Sequence, residues 1–195
     1  MPNEIHKKLN HNFHLGPYYK AFDSLTNKKS TGSTVSVIPF RKNECLFICP
    51  SESKVTVIFQ LSFADVTDRA IAKVFLLEFC EAQRIVRNAP PVSYSKDTPP
   101  ELRSVNHPEV PHSAGYISFA IEERHIKGEV NLEKAVTLMS GFRNYLHYHI
   151  KSSKTYLHMR MRKKVAHWLQ ILNRAKPDAE NTEKKTMSGR TFIRK

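Results

Sequence analysis

The chain has 195 residues, 40% hydrophobic and 10% aromatic, with a formal net charge of +13. That apolar content can build a core and argues against disorder throughout, and the length suits one domain with an appendage. No apolar run reaches the roughly 18 residues of a membrane span, and the opening MPNEIHKKLNHNF lacks the apolar stretch of a signal peptide, so the expected compartment is the cytosol.

The elements follow in chain order. Ile5 to Tyr19 reads as weakly helical and limited by Gly16-Pro17, and Thr26 to Ser33 as a polar loop. Val35–Phe40, Glu44–Cys49 and Lys54–Phe63 are rich in β-branched and aromatic residues and are joined by short links, which predicts an antiparallel three-stranded meander. Asp65 suits the N-cap of a helix running to about Ile85. Val66, Ala70 and Val74, joined by Ile71 and Phe75, form its expected core-facing stripe. Val92–Ser95 and Gly115–Ile121 are strand candidates, separated by a connection that Pro99, Pro100, Pro108 and Pro111 make irregular.

The last element carries the most information. Leu132, Val136, Met139, Phe142, Leu146, Ile150, Ser153, Leu157, Met161, Val165, Trp168 and Leu172 recur at steps of three or four residues, the period of an α-helix. Pro177 bars continuation much past Lys176. The 41 residues from Leu132 to Leu172 predict a helix roughly 60 Å long, more than a compact domain of the preceding residues can cover. Part of the apolar seam is therefore expected to lie bare unless a helix from another chain packs along it.

Charge is concentrated at the same end. Gly141 to Lys195 holds fourteen basic and three acidic residues, against seventeen and fifteen in the first 140. One helical position beyond the seam lie Arg143, His147, Lys151, Lys154, His158 and Arg162, widened by Arg160, Lys163 and Lys164. These lack acidic partners at i,i+4, so the stripe reads as a binding face for an acidic partner rather than a solvated one. Lys184, Lys185 and Arg190 in the polar tail add to the same field.

Other chemistry finds little support. Cys45 and Cys49 share a strand face roughly 13 Å apart, too far for one zinc ion, and with Cys80 they read as buried free thiols. His147, His149 and His158 lack the spacing of helical metal pairs. No glycine-rich phosphate loop, nucleophile elbow or HExxH pattern occurs. Neither an enzyme nor a metal or other cofactor is expected.

The run FRNYLHYHIKSSKTYLHMRMR, Phe142 to Arg162, resembles the long C-terminal helix of the actin-related protein 2/3 complex subunit 2 family. LNRAKPDAE and TMSGRTF near the end agree with it, as do KVTVIFQLSF, IAKVFLLEF and GYISFAI with the family's second domain. The resemblance implies a two-layer α+β unit with an antiparallel five-stranded sheet over residues 1–128, ordered helix, three strands, helix, two strands. A long helix over 129–176 and a basic polar tail over 177–195 follow. Family members carry two copies of the α/β unit, and this chain resembles the second.

The resemblance further implies a structural, non-enzymatic role in branched actin nucleation. Subunit 4 of the complex would supply an antiparallel long helix, and the mother actin filament an acidic surface. Leu146, Ile150, Leu157, Met161 and Trp168 would then face subunit 4 or the domain's own sheet. Arg160, Arg162, Lys163, Lys164, Lys184, Lys185 and Arg190 would be the filament contacts. An RNA- or DNA-binding module is the alternative, with phosphate contacts from the basic stripe and stacking from Tyr145, Tyr148 and Tyr156, read as lying on several faces. A membrane-surface helix ranks last, because histidines and serines interrupt the seam.

Overall fold

A computed structural model describes residues 15–27, 34–41, 43–86, 88–107 and 110–175, and the backbone of 184–185 and 191–192. By contact density the chain divides into two units, Met1–Lys154 and Thr155–Lys195.

In the first unit, α1 spans Gly16–Thr26, β1 Ser36–Arg41, β2 Glu44–Pro50, β3 Lys54–Ser62, α2 Val66–Ile85, β4 Val92–Ser95 and β5 Ser113–Glu122. A short α3, Glu123–Ile126, leads into α4, Glu129–Arg174, which supplies residues to both units. The strands form one antiparallel sheet in the order β1-β2-β3-β5-β4. The expected element order and α+β class are those observed.

Both faces of the sheet are covered. Leu46, Ile48, Val55, Val57, Phe59, Leu61, Ile117 and Phe119 join the helices in the main core, while Phe47, Cys49, Ile58 and Tyr116 pack with Leu102 in a smaller second core. Leu102 belongs to a 3-10 turn, Pro100–Leu102, in the proline-rich connection. Two-sided burial explains why β2 and β3 read as nearly continuous apolar runs rather than clean alternations. Cys45, Cys49 and Cys80 are free thiols, and burial raises the Cys49 pKa to about 11. No helix among the described residues is long and apolar enough to cross a membrane.

Two expectations are corrected here. The helix expected to end at Tyr19 continues to Thr26, and Gly16-Pro17 lies in the first turn of α1, where the missing N–H of a proline costs nothing. Residues 1–14 and 28–33, which hold most of the expected first helix and of the loop, lie outside the described residues; Thr26 ends α1. On α2 the buried face is Asp68, Ala72 and Leu76, with Ile71, Phe75 and Phe79 partly buried; Val66, Ala70 and Val74 face outward. Asp65 does cap this helix, its carboxylate accepting from the Asp68 N–H at 3.0 Å.

Candidate protein-interaction surface

The two portions of α4 differ in what surrounds them. Up to Lys154 the helix is seated on the sheet. Phe142 packs its ring against Phe59, Phe119 and Phe79 at centroid distances of 4.9, 4.9 and 5.6 Å. Leu146 and Ile150 are fully buried in the same core. Of the two surfaces expected to take them, a partner subunit or the domain's own sheet, it is the domain's own core that covers Leu146 and Ile150.

Polar anchors hold this portion in register. The buried Arg143 guanidinium donates to both oxygens of the buried Glu44 carboxylate at 2.7 Å each, and Glu44 also accepts from the Ser62 N–H at 3.0 Å. Arg143 additionally lies 4.6 Å from the Phe63 ring centre. Farther along, Lys154 pairs with Asp65 at 2.9 Å and Asp68 at 3.0 Å, and Lys151 pairs with Asp68. The Lys154 hydrogen bond holds the Asp65 carboxyl at about 2, below its ordinary 3.8. Burial pushes Asp68 upward, but hydrogen bonds from Lys151 and Lys154 outweigh it and lower its pKa as well.

The first half of the expected basic stripe is thus not a free binding face. Its acids come from β2 and from the start of α2, more than eighty residues away in sequence, where an i,i+4 search does not look. Burial, and then the Arg143 charge, pushes the His147 pKa down, so His147 adds no positive charge at neutral pH. One signal was present: Glu44 stands at the head of an otherwise apolar strand, ECLFIC, and a carboxylate there needs a cation.

In the second unit every residue of α4 from Thr155 to Arg174 is exposed. Leu157, Met161 and Trp168 are 43%, 60% and 65% accessible, and Val165, Leu169, Ile171 and Leu172 are also exposed. At about 100° per residue, Leu157, Met161, Val165, Trp168 and Leu172 fall within about 80° of one another, forming one stripe. Arg160 and Lys164 line one edge of it and His158 and Arg162 the other, while Lys163 lies toward the opposite side of the helix. No Asp or Glu occurs between Thr155 and Arg174. The arrangement presents apolar area between cationic margins and suits an apolar partner surface with acidic flanks.

The remaining expected site residues are placed as follows. Lys184 and Lys185 lie on a two-residue strand paired antiparallel with Thr191–Phe192, and Arg190 lies outside the described residues. Tyr145 and Tyr148 are exposed and only about 60° apart on the helix, with His149 ring centroids 4.2 and 5.2 Å away; they share a face, contrary to the sequence reading. Among the described residues no His, Cys, Asp and Glu side chains gather as a metal site would require.

The family model for P34-Arc, the 34 kD subunit of the Arp2/3 complex, matches residues 5–179. Actin-related protein 2/3 complex subunit 2 of Schizosaccharomyces pombe is 40% identical over 173 residues, 87% of this chain and 54% of that protein. The protein of the same name from Dictyostelium discoideum is 35% identical over 178 residues, 90% of this chain and 59% of its own length. The chain spans a little over half the length of these relatives. It belongs to the family of the Arp2/3 complex 34 kD subunit, p34-Arc.

Proposed function

We propose that the chain is a structural, non-catalytic subunit of an Arp2/3 complex, working in the cytoplasmic actin cytoskeleton during branched filament nucleation. The observation that carries this reading is the exposed stripe Leu157–Leu172 with its cationic edges. A fully buried side chain of this kind contributes roughly 1.5–3 kcal/mol, so a partner helix laid along the stripe gains substantially from covering it. Subunit 4 is the proposed partner, with Leu157, Met161 and Trp168 as anchors. Arg160, Arg162, Lys163 and Lys164, together with Lys184, Lys185 and Arg190, are proposed to meet the acidic surface of the mother filament.

Two measurements test this. Co-expression with subunit 4 is expected to give a stable heterodimer, and that heterodimer is expected to co-sediment with actin filaments at low salt and to release them as ionic strength rises. A chain that stays monomeric beside subunit 4 would overturn the partner assignment. A heterodimer that ignores filaments at low salt would overturn the filament contact.

A further inference from the structure

A cavity of about 570 Å³ opens within the first unit, at the corner where the end of β5, α3, the first turns of α4 and the link from α2 to β4 meet. That volume lies in the range of small-molecule clefts, roughly 300–1,000 Å³. Pro90, Ile121, Ala135, Leu138 and Met139 form its apolar wall. Ile121 and Met139 are buried members of the main core, so this wall is fixed by the packing of the fold.

The polar part of the lining favours one sign of charge. It contains Arg124, Lys134 and His125 and the amides of Asn88 and Asn131, and no Asp or Glu. Lys134 is exposed and forms no ion pair among the described residues. Arg124 meets Glu122 through Nε at 2.8 Å, an exposed pair that an incoming anion can outcompete. His125 accepts the Glu122 N–H at Nδ1 at 2.9 Å, which leaves its proton on Nε2. Nε2 is buried beside the Asn88 backbone and makes no hydrogen bond of ordinary geometry. A buried donor without an acceptor is costly, and an oxygen entering the cavity relieves it.

Two cations and a spare N–H donor select an anion with several acceptor oxygens, which a phosphate monoester supplies. The wall selects the rest of the ligand. The Met139 thioether, beside Leu138 and Pro90, suits contact with an aromatic ring.

We propose that this cavity binds a small aromatic phosphate, its ring against Leu138 and Met139 and its phosphate held by Arg124 and Lys134. Inorganic phosphate lacks the ring and a neutral aromatic lacks the charge, so each binds more weakly than the ester that carries both.

The test uses isotopically labelled methionine methyl groups in the full chain, read by NMR. Met139 reports on the cavity, and Met159 and Met161 report on the exposed stripe. Met139→Leu, which nearly conserves volume, assigns the cavity signal. Naphthyl phosphate is expected to shift the Met139 methyl saturably. Naphthol and inorganic phosphate are each expected to bind at least five-fold more weakly. Arg124→Gln combined with Lys134→Gln is expected to weaken naphthyl phosphate at least five-fold without lowering the melting temperature, since both side chains are exposed. Lys134→Arg is expected to preserve binding. No shift at Met139, shifts confined to Met159 and Met161, equal affinity for the three probes, or indifference to the double substitution would each overturn the proposal. The heterodimer and filament experiments read a different part of the chain, so the two proposals fail separately.

Discussion

Arg143 and Glu44 show how one pair of residues can reverse the meaning of a sequence pattern. In the sequence Arg143 opens a row of cations; in the structure it is the buried partner of a β2 carboxylate. Removing one member leaves an uncompensated buried charge, so Glu44→Ala is expected to destabilise the fold by about 3–5 kcal/mol. Replacing both residues with methionine is expected to cost well under the sum of the two single changes, as a double-mutant cycle in urea would read. Gly115 is constrained differently. Its φ is +106°, and an added Cβ would stand 2.6 Å from the Ser95 carbonyl oxygen. Gly115→Ala is expected to cost about 2–4 kcal/mol in the same assay, because backbone lies in the way and cannot swing aside. The neighbouring Tyr94 hydroxyl donates to the Ala114 carbonyl at 2.7 Å and holds that corner closed.

Among the elements, α2 and α4 are locked by charge where the sequence suggested that apolar stripes alone would do it. Asp65 and Asp68 ionise more readily in the fold than in the unfolded chain, so their stabilisation is fully present above the ordinary carboxylate pKa of 3.8. It is lost as pH falls from there toward the folded value of about 2 at Asp65. Melting temperature is therefore expected to fall across that window. The Lys154→Met variant is expected to show a shallower fall, because the hydrogen bond that depresses Asp65 is gone. An unchanged slope would remove this pair from the account. The boundaries of the long helix were legible within a few residues, 132–172 against Glu129–Arg174, because an uninterrupted helical period is a strong local signal. The inward face of α2 was legible only in part: Ile71 and Phe75 do pack against the core, but Val66, Ala70 and Val74 face outward. Val66, Ala70 and Val74 satisfy the same period as the true buried row, and local sequence cannot choose between two rows that both repeat at four.

For the whole molecule, the stripe Leu157–Leu172 makes a prediction that separates folding from assembly. Trp168→Ala is expected to leave the melting temperature of the isolated chain unchanged, since the side chain is exposed. Affinity for a partner that covers the stripe is expected to fall about thirty-fold or more, the loss typical of a buried tryptophan anchor, as titration calorimetry would measure. The same substitution lowering the stability of the chain alone would mean that the stripe is used internally. By itself the sequence determined the order of elements, the antiparallel meander, the extent of the last helix and the family, because all of these rest on local periodicity or on a dense run of matching residues. Only the tertiary structure decided which parts of the seam and of the basic stripe are free. Leu146, Ile150, Arg143, Lys151 and Lys154 are claimed by distant residues, while Leu157, Met161, Trp168 and Arg160 to Lys164 stand exposed. Burial and ion pairing depend on which remote strands and caps arrive beside a helix, and no window along the helix records their arrival.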